Sequence, residues 1–366
     1  MKSFIKKILL FANFLFAFFL LLTYLPGIIS PGKVSLFSFL SLFYPFLLII
    51  NVCFVLFWGF FLKKYIFISI IAILIRIDYI PLYVQNNKTA VEEPTADAIR
   101  IMSFNTHLFR YGQTNVNENH IQKFMELVEE YMPNIICFQE FTSNNQKKEL
   151  NTLDILKKKH AFKHHFSLKN SKHFVYSNTI LSKYPIINKG NAFENHTDKD
   201  LPRHRFIYAD LKIGEDTVRV YNVHFSSFHL DEEDRATYEE IVSQQKFDNK
   251  KSKRLYGKLS KTMKKHGEEV QILIEHISSS PHRKIVCGDF NDTPASYAYQ
   301  KLTKQLNDSY REKGKGIGKT YNGSYPAFRI DYILPDKDFS IYDFHVLKAP
   351  ISDHYPIFST IEINSK

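Results

Sequence analysis

The stretch Lys284-Ile-Val-Cys-Gly-Asp-Phe-Asn291 decides the fold. Its first half is an apolar run, Lys284 to Cys287, which predicts a buried strand. Asp289 and Asn291 follow directly, at the point where that strand ends. Polar groups at the end of a buried strand lie at the edge of the sheet, where they can meet groups from neighbouring strands. The stretch therefore predicts a polar site at a sheet edge.

The same arrangement recurs along the chain. Polar residues follow or lie within strand-like runs at Asn105 (after Ile-Met-Ser-Phe), Glu140 (after Ile-Ile-Cys-Phe-Gln), His224 (after Val-Tyr-Asn-Val), Asp331 (in Arg-Ile-Asp-Tyr-Ile-Leu), and Asp353 with His354 (in Ser-Asp-His-Tyr-Pro). If these strands lie side by side, the side chains point into one crevice. Carboxylate and amide oxygens suit Mg²⁺ or Mn²⁺. The three cysteines have no CxxC or CxxH spacing, which argues against a zinc site.

Between these points the pattern alternates between strands and helices. Apolar residues at 121, 124, 125 and 128 predict a helix over Glu118–Tyr131, which ends before Pro133. Strands are predicted at 99–105, 134–138, 174–181, 206–211, 218–223, 284–287, 328–334 and 357–361. We interpret residues 99–366 as one α/β domain.

The ordered motifs Ser-Phe-Asn, Gln-Glu, Asn-Val-His, Gly-Asp-Phe-Asn, Arg-Ile-Asp-Tyr-Ile and Ser-Asp-His resemble the endonuclease/exonuclease/phosphatase superfamily, which includes DNase I-like nucleases. The resemblance runs from about Ile99 to Ile363. It implies a four-layer α/β sandwich, in which two mixed β-sheets pack face to face and helices flank them. It also implies divalent-metal-dependent hydrolysis of a phosphoester by in-line attack of water.

The resemblance implies a role for each motif residue. Glu140 would be the principal metal ligand, with Asn105 and Asp353 completing the metal surroundings. His354 would bind the scissile phosphate and Asp331 would hold its ring. Asp289 would position or deprotonate the attacking water, Asn291 would donate to a phosphate oxygen, and His224 would stabilise the charge that develops on the phosphorane.

Structural alternatives exist for most of these residues. Asp331 could form a buried ion pair with Arg329, and Asp289 with Asn291 could form a plain Asx-type turn after the strand. His224 could be a buried core histidine. Glu140 could be a surface acid, and Asn105 a turn residue.

Other features give weaker indications of substrate binding. His107 could line the rim, and Arg203, His204 and Arg205 form a basic group that could hold a phosphate. The run Lys313-Gly-Lys-Gly-Ile-Gly-Lys-Thr-Tyr321 lacks P-loop spacing, and we interpret it as a flexible loop near the site. Residues 232–279 predict a lysine-rich helix pair. Its surface is either simply solvated or a basic flank for an anionic substrate or membrane.

The N-terminal 84 residues predict a membrane anchor. Apolar segments at about 8–29, 36–62 and 65–84 are candidates for three transmembrane helices, and residues 85–98 form a polar linker. Arg76 and Asp78 interrupt the third segment, which leaves an interfacial helix as the alternative; a cleavable signal peptide is the alternative for the first.

The positive-inside rule orients the anchor. Lys2, Lys6, Lys7, Lys63 and Lys64 fall on one side and predict a cytoplasmic N-terminus. Three spans then place the domain outside, whereas two would place it inside. The composition is typical of a bacterial protein, so we expect the inner membrane with a periplasmic domain.

The function we expect is membrane-anchored hydrolysis of a phosphodiester, in nucleic acid or a lipid headgroup. The net charge of +11 favours either anionic partner. No obligate protein partner is implied. The alternative is a tethered binding protein that has lost the chemistry, although all eight motif residues are present.

Overall fold

The computed structural model describes residues 3–61, 63–87, 93–112, 115–144, 150–168, 174–194, 196, 202–227, 233–234, 236–237, 240, 248–323 and 329–364. The chain forms two compact units. One comprises Met1–Ile80, Ser226–Val270 and Ala295–Gln300; the other comprises Pro81–Phe225, Gln271–Pro294 and Lys301–Lys366.

The second unit contains two mixed sheets. The larger sheet has the strand order β12-β14-β2-β3-β5-β4, with β13 also paired to β14. Its strands are β2 (Ile99–Asn105), β3 (Ile135–Asn144), β4 (His164–Ser167), β5 (Phe174–Ser182), β12 (Phe339–Ile341), β13 (His345–Val346) and β14 (Ile357–Ile363). Only the β2–β3 pair in it is parallel.

The smaller sheet has the order β11-β9-β8-β7-β6. Its strands are β6 (Ile186–Asn191), β7 (Phe206–Ile213), β8 (Asp216–His224), β9 (Arg283–Asp289) and β11 (Asp331–Pro335). Here too a single pair, β8 with β9, is parallel. A separate two-stranded ladder joins β1 (Val84–Asn86) to β10 (Lys315–Ile317).

The central strands are buried on both faces, which explains their nearly continuous apolar runs. In β2, Ile99 and Ile101 pack into the core between the sheets, together with Val220 and Ile285 of the smaller sheet. The intervening side chains point the other way, because successive residues of a strand alternate. Met102 and Phe104 belong to the cluster under the helices.

Helices cover the outer faces and complete the four layers. α5 (Glu118–Tyr131) and α6 (Thr152–His160) bury Ile121, Phe124 and Leu156 against the larger sheet. The C-terminal end of the long helix α7 (Asn249–Ser278) covers the smaller sheet. The Tyr221 hydroxyl of that sheet lies 2.9 Å from the Nδ1 atom of His276. The short α8 (Tyr297–Leu302) and α9 (Ser309–Lys313) follow β9. The structure thus confirms the predicted sandwich.

In the first unit, α1 (Ser3–Leu22), the short α2 (Ser35–Ser38), α3 (Leu40–Phe60) and α4 (Ile66–Leu74) form a helical group. Phe4–Leu22 and Leu40–Phe60 are long and apolar enough to cross a membrane. The amide of Asn13 donates to the Ser69 hydroxyl (2.6 Å), which donates to Asn51 (2.8 Å). This buried relay links α1, α4 and α3.

The third apolar segment is less regular than its composition suggested. α4 ends at Leu74, and a 3₁₀ helix over Ile77–Leu82 contains Pro81. Arg76 and Asp78 pair with each other, with Nε 3.0 Å from Oδ1. The part of α7 that belongs to this unit lies against the start of α2, because the hydroxyls of Ser260 and Ser35 are hydrogen-bonded at 2.5 Å.

Local patterns predicted most elements well. β2 and α5 have the expected bounds. β3 begins one residue later than predicted and runs to Asn144, β11 begins at Asp331, and the other predicted strands are longer by one or two residues at one or both ends. Residue 328 of that predicted strand lies outside the described residues. Of the predicted 232–279 helix pair, α7 is present, and much of the remainder lies outside the described residues.

One expectation was wrong. Part of the glycine-rich run is not a flexible loop, because Lys315–Ile317 is strand β10. Its partner strand, Val84–Asn86, includes the first two residues of the predicted linker, of which residues 88–92 lie outside the described part. The two segments stabilise each other by pairing across more than two hundred residues of sequence.

The glycine of the opening motif has no room for a side chain. Gly288 has a φ of +143°, and a Cβ atom there would lie 1.9 Å from the Val223 carbonyl oxygen. We predict that Gly288→Ala breaks the β8–β9 pairing and prevents folding of the domain. The matched Gly214→Ala has φ +56° but open space, and should lower the free energy of unfolding by only roughly 1–2 kcal/mol. Chemical denaturation checks both; equal losses would contradict the steric argument.

Candidate active site

The two parallel strand pairs bring the polar motif residues to one edge. In the β8–β9 register His224 lies opposite Asp289, and Asp331 of β11 pairs with Asp289 from the other side. In the larger sheet Asn105 lies opposite Gln139, the neighbour of Glu140. Because the carboxyl ends of parallel strands meet at one edge, side chains from both sheets converge there.

Asp289 lies at the centre of this convergence. Its Oδ2 atom accepts a hydrogen bond from the Asn105 amide (2.9 Å), and Oδ1 accepts from the backbone N–H of Asn291 (2.8 Å). The Nε2 atoms of His224 and His354 each lie 3.7 Å from Oδ2. The Asx-type turn at 289–291 is therefore present, and it coexists with the side-chain cluster.

Burial controls the charge state of Asp289. The side chain is buried, and desolvation raises its pKa to about 7, although His354 acts in the opposite direction. A carboxyl with a pKa near neutrality can hold or release a proton under physiological conditions.

Asp331 and His354 form a buried pair. Nδ1 of His354 lies 3.1 and 3.0 Å from the two carboxylate oxygens of Asp331. Burial alone would lower the pKa of His354, but the charges of Asp331 and Asp289 outweigh it and raise that pKa well above its ordinary value. The Nδ1 contact fixes the ring, so Nε2 faces Asp289.

The alternative ion pair between Asp331 and Arg329 is not formed. Arg329 pairs instead with Asp308, with Nη2 2.8 Å from Oδ2.

Glu140 and Asp353 form a more accessible group. Their side chains are 27% and 22% exposed, against 1% for Asp289. Nδ1 of His107 lies 3.9 Å from Glu140 and 3.4 Å from Asp353. Glu140 also reaches His224, with Oε1 3.7 Å from Nε2. These contacts join the accessible carboxylates to the buried group.

The backbone of the site is unusual. Glu140 has a φ of +46°, and Asn291 has +49°. His107, Leu108 and Phe109 also have positive φ. The β3–β5 register shifts between Phe138 and Phe141, so Glu140 leaves the strand pairing at a bulge. Such conformations are uncommon for residues other than glycine and are held by surrounding contacts; here Thr106 donates to the Glu140 carbonyl (2.7 Å).

A buried amide network lies beneath the site. The Gln139 amide donates to Asn222 (2.8 Å) and to Ser103 (3.2 Å). Asn222 donates to the Phe138 carbonyl (2.8 Å), and Asn178 donates to the Arg205 carbonyl (2.7 Å). Gln139 and Asn222 belong to different sheets and each lies within two residues of a site residue, so their bond fixes the two sheets relative to each other at this edge.

The remaining predicted residues differ in placement. Asn291 donates through its amide to the Phe225 carbonyl (3.0 Å), which leaves the second amide hydrogen for another acceptor. Arg203 and Arg205 form a 3₁₀ turn before β7, and Phe206 pairs with Val223, so this turn lies beside His224 at the same edge. Arg203 donates to the His196 carbonyl (3.0 Å).

Sequence reasoning missed several supporting side chains. Ser352 donates to the Asn105 carbonyl (2.8 Å), and Thr320 accepts from the backbone N–H of Asp331 (3.1 Å). Tyr321 pairs with His354, and Tyr355 donates to Asn322 (2.6 Å) beside Asp353. Of these residues, Ser352 lies within the Ser-Asp-His motif and Tyr355 follows it, whereas no local sequence pattern pointed to Thr320, Tyr321 or Asn322 as supporting residues.

The residues fit a divalent cation. Glu140, Asp353 and Asn105 offer hard oxygen donors, and the two carboxylates are open to solvent, as Mg²⁺ or Mn²⁺ requires. Asp289, Asp331 and His354 form another possible group, with ligand atoms within 4.8 Å of one another. The first group offers oxygen donors alone, which Mg²⁺ and Mn²⁺ prefer.

A two-sheet sandwich with buried Asp and His groups at its strand ends defines a class of hydrolase fold that acts on phosphoesters. The chain belongs to the endonuclease/exonuclease/phosphatase family, whose model matches residues 102–354. Each activity in that name cleaves a phosphoester bond. A second family model, a domain of unknown function (DUF8431), matches residues 6–83.

Solved structures share the fold at low identity. A family protein from Bacteroides thetaiotaomicron is 16% identical, with 75% of this chain and 100% of that chain covered and a TM-score of 0.50. One from Leptotrichia buccalis is 18% identical (73% and 100% covered, TM-score 0.49), and one from Beutenbergia cavernae is 15% identical (73% and 72%, 0.49). Among curated proteins, none matches the sequence.

The Asp331–His354 pair gives a direct titration test. Because the carboxylates raise the His354 pKa against the effect of burial, Asp331→Asn should lower the His354 pKa. NMR of ¹⁵N-labelled histidine in the metal-free protein measures this, with exposed His345 as the internal control. An unchanged His354 pKa in the variant would contradict the assignment.

Proposed function

We propose that this chain is a membrane-anchored, divalent-metal-dependent phosphoesterase that hydrolyses a phosphodiester of nucleic acid or of a phospholipid headgroup by in-line attack of water. The observation that carries the proposal is the single cluster formed by Asn105, Glu140, His224, Asp289 and the Asp331–His354 pair. Family membership supports the same reaction class.

Asp289 and His354 have complementary roles in the proposed reaction. Asp289, with a pKa of about 7, would accept a proton from the attacking water. His354, whose pKa is raised by Asp331 and Asp289, would present a cationic Nε2–H to the phosphate. His224 would stabilise negative charge on the phosphoryl oxygens, and Asn291 would donate its second amide hydrogen.

Glu140 would be the main metal ligand, and Asp353 and Asn105 would complete the surroundings. A bound Mg²⁺ or Mn²⁺ would supply charge neutralisation at the phosphoryl oxygens. The Asn105 amide bond to Asp289 would orient that carboxylate relative to the ligands. His107, between Glu140 and Asp353, and Arg203 and Arg205, beside His224, are candidates to bind further substrate phosphates.

The catalytic proposal is tested on the full chain in detergent with bis-p-nitrophenyl phosphate and Mg²⁺ or Mn²⁺. Glu140→Gln and His354→Ala should each lower kcat by about 100-fold or more, because each removes a group that neutralises transition-state charge. His345→Ala changes a half-exposed histidine away from the cluster and should leave kcat unchanged. Absence of metal-dependent turnover in the parent would favour the binding-only alternative.

The substrate class follows from a panel of DNA, RNA, sphingomyelin, phosphoinositides and nucleotides. We expect a diester to be preferred, because the basic charge and membrane attachment suit nucleic acid or lipid headgroups. Preference for a soluble monoester would overturn the diester assignment and leave the phosphoesterase assignment standing.

The anchor would comprise residues 1–84, followed by a linker to residue 98 and the catalytic domain from residue 99. Two helices have the length and apolarity of spans. The Asn13–Ser69–Asn51 relay supports a third pass, because it joins α4 by hydrogen bonds to both of the other helices. With Lys6, Lys7, Lys63 and Lys64 in the cytoplasm, the domain would lie on the periplasmic side of a bacterial inner membrane.

Topology is tested with reporters fused after Lys366. A reporter active only in the periplasm should be active, and a cytoplasmic reporter should be silent. Fusion after Lys64 should give the reverse result and serves as the control. Cytoplasmic activity of the C-terminal fusion would show that the third segment does not cross.

A further inference from the structure

The chain enters the catalytic unit through a segment that is bound to the residues supporting the Asp331–His354 pair. We propose that Leu82–Asn86, called the latch here, is a structural part of the active site and positions this pair. The inference rests on the proposed function for its activity readout. Arg329 and Thr320 are the positioning residues through which the latch would act.

The first contact joins the latch to Arg329. The Leu82 carbonyl accepts hydrogen bonds from Nε (3.2 Å) and Nη2 (3.0 Å) of Arg329. The guanidinium also pairs with Asp308 and lies over the rings of Tyr310 (4.5 Å) and Tyr332 (4.7 Å). Arg329 is 2% exposed, so a buried charge depends on this one backbone carbonyl for two of its hydrogen bonds.

The second contact joins the latch to β10. Val84, Gln85 and Asn86 pair with Ile317, Gly316 and Lys315. The Tyr310 hydroxyl lies 2.9 Å from the Tyr83 carbonyl and 2.7 Å from that of Gly316, two acceptors that share its proton. The latch is therefore held by main-chain pairing and by a buried tyrosine.

The contacts leave no space for rearrangement. Gly318 donates to the Tyr83 carbonyl (3.5 Å). A Cβ atom on Gly318 would lie 2.6 Å from the Tyr310 ring and 2.9 Å from the Arg329 side chain. Close packing against Tyr310 and Arg329 therefore accounts for the glycine at position 318, and phosphate binding is not needed to explain it.

From these residues the chain leads directly to the catalytic pair. Two residues after Gly318, the buried Thr320 hydroxyl accepts from the backbone N–H groups of Ile330 (3.0 Å) and Asp331 (3.1 Å). Asp331 itself is two residues after Arg329, and Tyr321 pairs with His354. Both routes from the latch therefore end on the backbone that carries Asp331 and His354.

The functional consequence concerns geometry rather than substrate affinity. A small displacement of Asp331 would move the His354 ring relative to the reacting phosphate. Such displacements lower the rate of the chemical step, whereas ground-state binding depends on other contacts. A catalytic domain cut free beyond Asn86 would lack the β1 partner of β10 and the acceptor for Arg329.

The test uses the full chain in detergent with Val84→Pro, Gln85→Pro and Arg329→Lys. Alternate residues of a strand face the partner, so one of the two prolines removes a ladder hydrogen bond. Arg329→Lys keeps the charge but loses the two-bond fork to Leu82. We expect kcat to fall about tenfold or more in Arg329→Lys and in one proline variant, with KM within about twofold.

Glu93→Pro is the matched control, because it places a proline in the following segment outside β1, and it should retain the parental kcat. Parental kcat in Arg329→Lys overturns the inference, and so does an equal loss in Glu93→Pro. If the proline variants unfold the domain, the kcat of Arg329→Lys alone tests the inference.

A second readout does not depend on turnover. Hydrogen exchange of the full chain should be faster at residues 315–323 and 329–331 in Val84→Pro, Gln85→Pro and Arg329→Lys (the latch variants) and unchanged in Glu93→Pro. The reason is that the amides of Gly318, Ile330 and Asp331 lose their fixed acceptors in the latch variants. Unaltered exchange there in all three latch variants overturns the inference. An inactive parent would refute the proposed function, and the exchange result would still decide the role of the latch.

Discussion

The candidate active site depends on two parallel strand pairs, whereas the other described strand pairs of both sheets are antiparallel. A parallel pair requires a crossover connection, and it brings two carboxyl ends to the same edge. The β2–β3 pair delivers Asn105 and Glu140, and the β8–β9 pair delivers His224 and Asp289. The Gln139–Asn222 hydrogen bond then holds the two edges together from beneath. Without face-to-face packing of the sheets, these four side chains would lie at two separate edges.

The two crossover connections belong to different parts of the protein. The β2–β3 connection carries α5, which covers the larger sheet. Within the β8–β9 connection, residues Ser226–Val270 group with the apolar N-terminal helices instead. Glu269 of that segment accepts hydrogen bonds from the backbone N–H (3.1 Å) and hydroxyl (2.6 Å) of Ser226. Part of one connection of this fold therefore belongs to the same compact unit as residues 1–80, which lie in the proposed anchor.

The sequence predicted what depends on local pattern. β2 and α5 were found at their bounds because side-chain alternation and helical spacing are strong local signals. Asn105, Glu140, His224 and Asp289 could be grouped because each follows a buried apolar run, whereas Asp331 begins β11 and Asp353 with His354 precede β14. Pairings between distant residues were not predictable: Arg329 could equally have paired with Asp331, but its partner is Asp308. The glycine run indicated backbone freedom, whereas its pairing with Val84–Asn86 depends on a segment that composition marked as linker.

The left-handed backbone conformation at Glu140 and Asn291 lowers the stability of the folded domain. An L-residue in that conformation loses roughly 1–2 kcal/mol relative to a relaxed one. Asparagine adopts this conformation more readily than glutamate does, so the free-energy cost is larger at Glu140 than at Asn291. Glycine or asparagine at position 140 would lower this conformational cost, but either would remove a carboxylate from the cluster. The strained conformation of Glu140 is therefore held by its surroundings, such as the hydrogen bond from Thr106 to its carbonyl.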